Sequence, residues 1–235
     1  MPVLYQRSTI GALLAGVFDG TETVGALLRH GDFGLGTFNA LDGELVVLDG
    51  VAHQVTSDGL ARPASAGQRT PFAAVTRFVP QHSLLVEEPV DRVRLATRIS
   101  AAGRGENITL AVRITGRFRR ILMRTVAIQS KPYPSLDEAS RNEVEIEVRD
   151  LAGTLVGFRT PEFEHSIGVA GYHLHFLDTA HSTGGHMLDF ELDEGVVELM
   201  EISEIRLSLP TSGAFLTADL DPANADDQIR TAEGN

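Results

Sequence analysis

From Ile108 onward the sequence is one β-rich run after another: "ITLAVRITGRF", "RILMRTVAIQ", "EVEIEVRD", "GTLVGFRTP", "GYHLHFLD", "HMLDFEL" and "VVELMEISEIRLSL". Such runs, bounded by Gly, Pro or Asp, read as strands joined by turns. The first part of the chain adds shorter ones, "ELVVLDG", "VAHQVTSDG", "FAAVTRF" and "HSLLVEEP", in the manner of an antiparallel meander. Helices are few. "RSTIGALLAGVFDG" sets Ser8 or Thr9 as a cap before Ile10, Leu13, Leu14 and Val17 and ends near Gly16; "TETVGALLRHG" repeats the device and stops at Gly31. "DRVRLATRISAAG" predicts a third helix with Asp91 as its cap. The fold class is therefore α+β, with antiparallel or mixed sheets and few short helices. No repeat or linker marks a boundary, so residues 1–235 read as a single unit. If it divides into lobes, a larger mixed sheet covers about 1–150 and a smaller sheet with a histidine cluster covers about 151–235.

Composition narrows the chemistry. With 235 residues and 43% hydrophobic content the chain can bury a real core. A net charge of -12 with no basic block leaves no electrostatic footprint for nucleic acid or anionic lipid. The opening "MPVLYQRSTIGALLAGVFDG" lacks a basic region ahead of a long apolar run, so neither a signal peptide nor a membrane span is expected, and a cytoplasmic location is. There is no cysteine, which removes disulfides, thiolate nucleophiles and iron–sulfur clusters, and any metal must sit on His and carboxylate. Lys131 is the only lysine, which argues against a phosphate loop and against Schiff-base chemistry.

Four of the eight histidines fall between residues 173 and 186. In "GYHLHFLD" the two-residue period of a strand puts His173 and His175 on one face, about 7 Å apart along it. "TAHSTGG" is a polar connector, and "HMLDFEL" resumes as a strand that brings His186 opposite the first two. Three neutral imidazoles on a sheet leave coordination positions open for water or substrate, the arrangement of a catalytic divalent metal site. His181 and His165 read as surface-loop residues, and His30, His53 and His82 as isolated structural ones.

Two further positions stand out. If "RILMRTVAIQ" is a strand, Leu122, Arg124, Val126 and Ile128 share a face, and a guanidinium on an apolar stripe needs a partner, either a ligand carboxylate or a buried Glu. Glu44 follows a Gly turn in "FGLGTFNALDGELVVLDG" and precedes an apolar run. Alone it would be a routine turn residue.

The segments "GDFGLGTFNALDGELVVLDG", "RTVAIQSKPYPSLDE", "GTLVGFRTPEF" and "VAGYHLHFLD…GGHMLDFEL", in that order, resemble bacterial acetolactate decarboxylases from about Tyr5 to the C-terminus. The resemblance implies a two-lobed α/β fold, a homodimer and a Zn2+-dependent enzyme (another divalent ion being the alternative) that turns 2-acetolactate, a small 2-hydroxy-3-oxo acid, into acetoin and CO2. It assigns His173, His175 and His186 as metal ligands, Arg124 as an active-site arginine, and Glu44 and Glu233 as active-site glutamates. Ala40 departs from the pattern, where some relatives carry a hydroxyl residue.

Chemistry supports the resemblance. Decarboxylation leaves an electron pair that needs a sink, and neither pyridoxal phosphate nor thiamine diphosphate has a signal here. A metal gripped by the ketone and the adjacent hydroxyl would stabilise an enediolate, with Arg124, Glu44 or Glu233 as the candidate proton donor. The rivals are a cupin-like oxygenase or a hydratase, which also use H-x-H on a strand, and a non-catalytic metal-binding module. A cupin places a Glu four or five residues after the second His, and "HFLDTAHS" has none. The tail "DLDPANADDQIRTAEGN" has the composition of a frayed end, yet the resemblance puts Glu233 in the site. Both hold if it folds back as a short helix anchored by Ile229.

Overall fold

The computed structural model describes residues 1–102, 105–141 and 143–220. Their strands are β1 (Val3–Arg7), β2 (Glu22–Thr23), β3 (Phe33–Thr37), β4 (Glu44–Leu48), β5 (Val51–Val55), β6 (Ala61–Pro63), β7 (Arg69–Thr70) and β8 (Ala73–Thr76). The series continues with β9 (His82–Val86), β10 (Val90–Asp91), β11 (Thr109–Thr125), β12 (Val144–Thr160), β13 (Gly171–Asp178), β14 (Gly184–Ile202) and β15 (Glu204–Ser208). The helices are α1 (Ile10–Leu14), α2 (Val24–Leu27), α3 (Arg92–Ala102), α4 (Leu136–Ser140) and α5 (Gly213–Thr217). None is long and apolar enough to cross a membrane.

A seven-stranded mixed sheet runs β15-β1-β8-β3-β4-β5-β6, with only the β1–β15 pair parallel. A six-stranded antiparallel sheet holds β9 to β14 in the order β10-β14-β11-β12-β13, with β9 also on β14. Because β13 pairs with β14 as well, the path β14-β11-β12-β13 closes on itself. The histidine-bearing sheet thus draws on residues 82–202, and β12 crosses residue 150 without a break.

The expected helices form with their expected caps. Thr9, and not Ser8, caps α1 by accepting the Ala12 N–H, and Val17 falls beyond its end. Thr23 caps α2, and Asp91 Oδ1 accepts the Arg94 N–H at the start of α3. The strand runs, however, fuse. "TLAVRITGRF" and "RILMRT" are one 17-residue strand, as are "VEIEVRD" and "GTLVGFRT". Residues taken for turns lie inside them: Asp150 has a φ of 53°, and the β11–β14 register shifts beside Phe118. These are the marks of bulges that bend a long strand without ending it. Val126 and Ile128 lie past the end of β11, so they do not extend its apolar face, and Ile128 is exposed.

Side-chain alternation then sorts residues between layers. On β4, Leu45 and Val47 face a core shared with Val24 and Leu27 of α2. Val46 and Leu48 face the other sheet, packing with Phe33, Leu35, Val156, Phe158 and Leu177. Glu44, in phase with Val46, shares that inter-sheet side. On β13, Leu174 and Phe176 join the core beneath α3, while Leu177 reaches the inter-sheet core. His173 and His175, in phase with Leu177, face the first sheet.

Candidate metal centre

The β13–β14 hairpin brings the histidines together. His175 pairs directly with His186, which in turn pairs with Arg124 of β11 on its other side. All three imidazoles are buried, and their ring centroids lie 5.1 to 5.3 Å apart. One ligand nitrogen from each lies within 4.8 Å of the others, the spacing of donors around one ion.

The hairpin turn is organised by Asp178. Its carboxylate accepts the backbone N–H groups of Ala180, Ser182 and Thr183 and the hydroxyl of Ser182. Burial pushes this carboxyl up, but the four donors together outweigh it and hold its pKa below the ordinary value. The turn thus fixes which residue of β14 faces His175.

His175 also reveals its tautomer. Its Nδ1 lies 2.9 Å from the carbonyl oxygen of Leu45 on β4. A carbonyl only accepts, so Nδ1 carries the proton and Nε2 keeps its lone pair. That Nε2 is buried with no hydrogen-bond partner among the described residues and sits 3.5 Å from Glu44 Oε2. Two lone-pair bearers at that distance repel unless a cation or a proton lies between them. Protonation is opposed: burial chiefly, with help from the Arg124 charge, depresses His175 to about 4. His173 is driven well below its ordinary value by burial, with His175 and Arg124 adding to it. Neutral imidazoles that resist protons are in the form that ligates metal. The residues present therefore fit a divalent ion.

Arg124 points into the same cavity, whose lining joins Glu44, Arg124 and the three histidines to Gly36, Thr37, Ser140 and an apolar group of Leu13, Leu41, Phe72, Val126 and Leu136. The Arg124 Nη1 donates to Glu143, 3.0 Å from Oε2, while its Nε is buried without an acceptor among the described residues. The partner anticipated for this arginine is thus Glu143, which sequence reasoning did not single out. Glu143 opens the acidic alternation "EVEIEV", where nothing separates it from solvent-facing neighbours.

Glu44 is placed by the turn before it. Gly43 has a φ of 85°, and its carbonyl accepts the Thr37 hydroxyl, so the chain reverses and enters β4 with Glu44 facing inward. Gly36 must be a glycine for another reason: a Cβ there would strike the Phe72 carbonyl and Ala73. Within the turn Ala40 and Leu41 adopt left-handed conformations, with φ of 60° and 55°. Leu41 lines the cavity, whereas Ala40 does not. Among the other histidines, His181 is exposed in the β13–β14 turn and meets the buried His53 edge-on. His30 stacks on Tyr5, His82 lies 3.6 Å from Glu201, and His165 follows a 3-10 turn. Glu233 and Ile229 lie outside the described residues. The described chain ends with Leu220 against Gly11 of α1, the helix whose Leu13 lines the cavity.

Fold and cavity together define a β-rich protein with a buried three-histidine group able to hold a metal ion. Residues 4–222 match the profile of one family, described as Alpha-acetolactate decarboxylase, and the chain belongs to that family. It is 47% identical to the alpha-acetolactate decarboxylase of Methylococcus capsulatus, over 98% of this chain and 88% of that one. It is 44% identical to the enzyme of the same name from Raoultella terrigena, over 98% and 89%. The crystal structure of alpha-acetolactate decarboxylase from Bacillus subtilis strain 168 superposes with a TM-score of 0.97 at 37% identity, over 99% of this chain and 100% of that one. The profile match ends before Glu233.

Proposed function

We propose that the chain decarboxylates 2-acetolactate to acetoin and CO2 with a divalent ion held by His173, His175 and His186. One observation carries the proposal beyond family membership. In a single cavity His175 Nε2 offers an unshared electron pair and Arg124 offers an unshared N–H, both buried. The first suits a cation and the second an anion, and the substrate is a carboxylate that must be held beside a metal. His173, His175 and His186 would hold the ion, which when bound would supply a Lewis acid for the substrate ketone. Arg124 Nε would donate to the substrate's carboxylate or, as the C–C bond to CO2 breaks, to the former ketone oxygen that takes up the electron pair, where a preoriented donor counts most. Glu44, buried 3.5 Å from His175, is the carboxyl within the described residues best placed to pass a proton to the carbon that lost CO2. The apolar wall of Leu13, Leu41, Phe72, Val126 and Leu136 excludes water and receives the methyl groups.

The family resemblance extends the proposal to zinc as the ion, Glu233 as a second carboxyl, a homodimer, a cytoplasmic location and one two-lobed unit. Racemic acetolactate incubated with the purified protein, with and without a chelator, tests the core of it. Acetoin should form, stop on chelation and return with zinc. A protein that holds its metal tightly and makes no acetoin is the non-catalytic module instead.

A further inference from the structure

Arg124 sits at the end of β11, paired with His186 and lining the same cavity as the three histidines, so its permanent charge opposes a second positive charge there. Something must make a guanidinium and a dication compatible in one buried cavity. Glu143 contacts Nη1 with both carboxylate oxygens, at 3.0 and 3.4 Å, and the pair is poorly exposed, at 5% and 20% for the two side chains. It is therefore not the solvated surface pair that contributes little. Glu143 also has a defined place in the backbone. Its N–H donates to the carbonyl of Ser140, the last residue of α4, and the next residue, Val144, opens β12 opposite Thr125. Leu136 and Ser140 of α4 line the cavity, so Glu143 ties this wall to the arginine on the sheet.

We propose that Glu143 is the positioning residue of the site: it grips Arg124 by Nη1 so that Nε is left for the substrate, and it neutralises the guanidinium so that the three histidines can hold a dication beside it. This rests on the reading of Arg124 as the substrate's anion contact. Arginine has five donors in a fixed plane, so fixing one edge orients the rest. A neutral partner would keep a hydrogen bond but lose the charge.

The test uses the zinc-loaded protein and two readouts, zinc affinity by competition with a chelator and kcat/KM for acetolactate. Glu143→Gln should bind zinc about tenfold more weakly and lose about tenfold or more in kcat/KM. In the double variant Arg124→Met with Glu143→Gln both charges are gone, so zinc affinity should return to the wild-type level while turnover falls further, below that of Glu143→Gln. A merely structural glutamate predicts the opposite, a double variant that binds no better than Glu143→Gln. Wild-type zinc affinity in Glu143→Gln also overturns the proposal. Glu143→Asp guards against misfolding of the glutamine variant: it should keep zinc affinity within about twofold and still lose kcat/KM, because the shorter side chain draws the guanidinium aside. Full kcat/KM in Glu143→Asp would contradict the positioning role. If the wild type binds zinc but makes no acetoin, the functional reading fails, while the zinc affinities still decide whether Glu143 offsets the charge.

Discussion

A single proton on His175 has consequences across the site. Because the Leu45 carbonyl holds it on Nδ1, the other nitrogen is available to a metal without any rearrangement, and the first sheet thereby orients a residue of the second. Arg124 is the complementary case, a permanent cation whose Nη1 is taken and whose Nε is not. Its planar fork cannot be replaced by a point charge. Arg124→Lys should therefore keep the metal and lose about a hundredfold in kcat/KM, the cost of one preoriented donor to a developing oxyanion. Steady-state kinetics with elemental analysis of the same sample checks this. A lysine variant at near wild-type rate would make Arg124 structural.

The β13–β14 hairpin is the element on which the metal group depends, and its turn is held by one carboxylate. Asp178 accepts four hydrogen bonds, and Asn in its place can neither carry the charge nor accept as many. Asp178→Asn should cost about 1–3 kcal/mol at pH 7. The sign of its pH dependence follows from the depressed pKa in the folded state. Such a group stabilises above the ordinary carboxylate pKa, near 3.9, and loses that contribution as pH falls through the folded value. Urea unfolding of both proteins at pH 7 and again near pH 3 should show the gap narrowing with acid, and a constant gap would mean that charge is not what holds the turn. The hairpin itself was legible in the sequence, since a period of two and a polar connector suffice to align His173, His175 and His186. The role of Asp178 was not, because an Asp at a strand end is ordinary until its four donors are seen. Neither was β3, whose "FGLGT" is missing from the strand runs: Gly36 serves close backbone approach, which sequence pattern registers only as weakness.

At the scale of the whole molecule the site belongs to neither sheet alone. Glu44 and Leu45 come from one sheet, and Arg124 and the histidines from the other. Sequence could nominate Glu44 and Arg124 but not Glu143, which lies just before β12 and reaches Arg124 only because the long β11–β12 ladder folds back beside it, a pairing with no local signature. The described chain ends at α1, beside the cavity wall, and the remaining residues include Glu233. A chain ended at Asp221 should keep its metal and its thermal midpoint within a few degrees but lose most decarboxylation; equal acetoin production would remove Glu233 from the site. The central claim is that the three histidines hold one ion. Anomalous diffraction at the zinc edge, from crystals grown with zinc, tests it directly. A shared ion gives a single strong peak about 2.0–2.1 Å from one nitrogen each of His173, His175 and His186, and none in His186→Ala crystals. A protein that retains full zinc in His186→Ala, or a peak away from the three imidazoles, would contradict it.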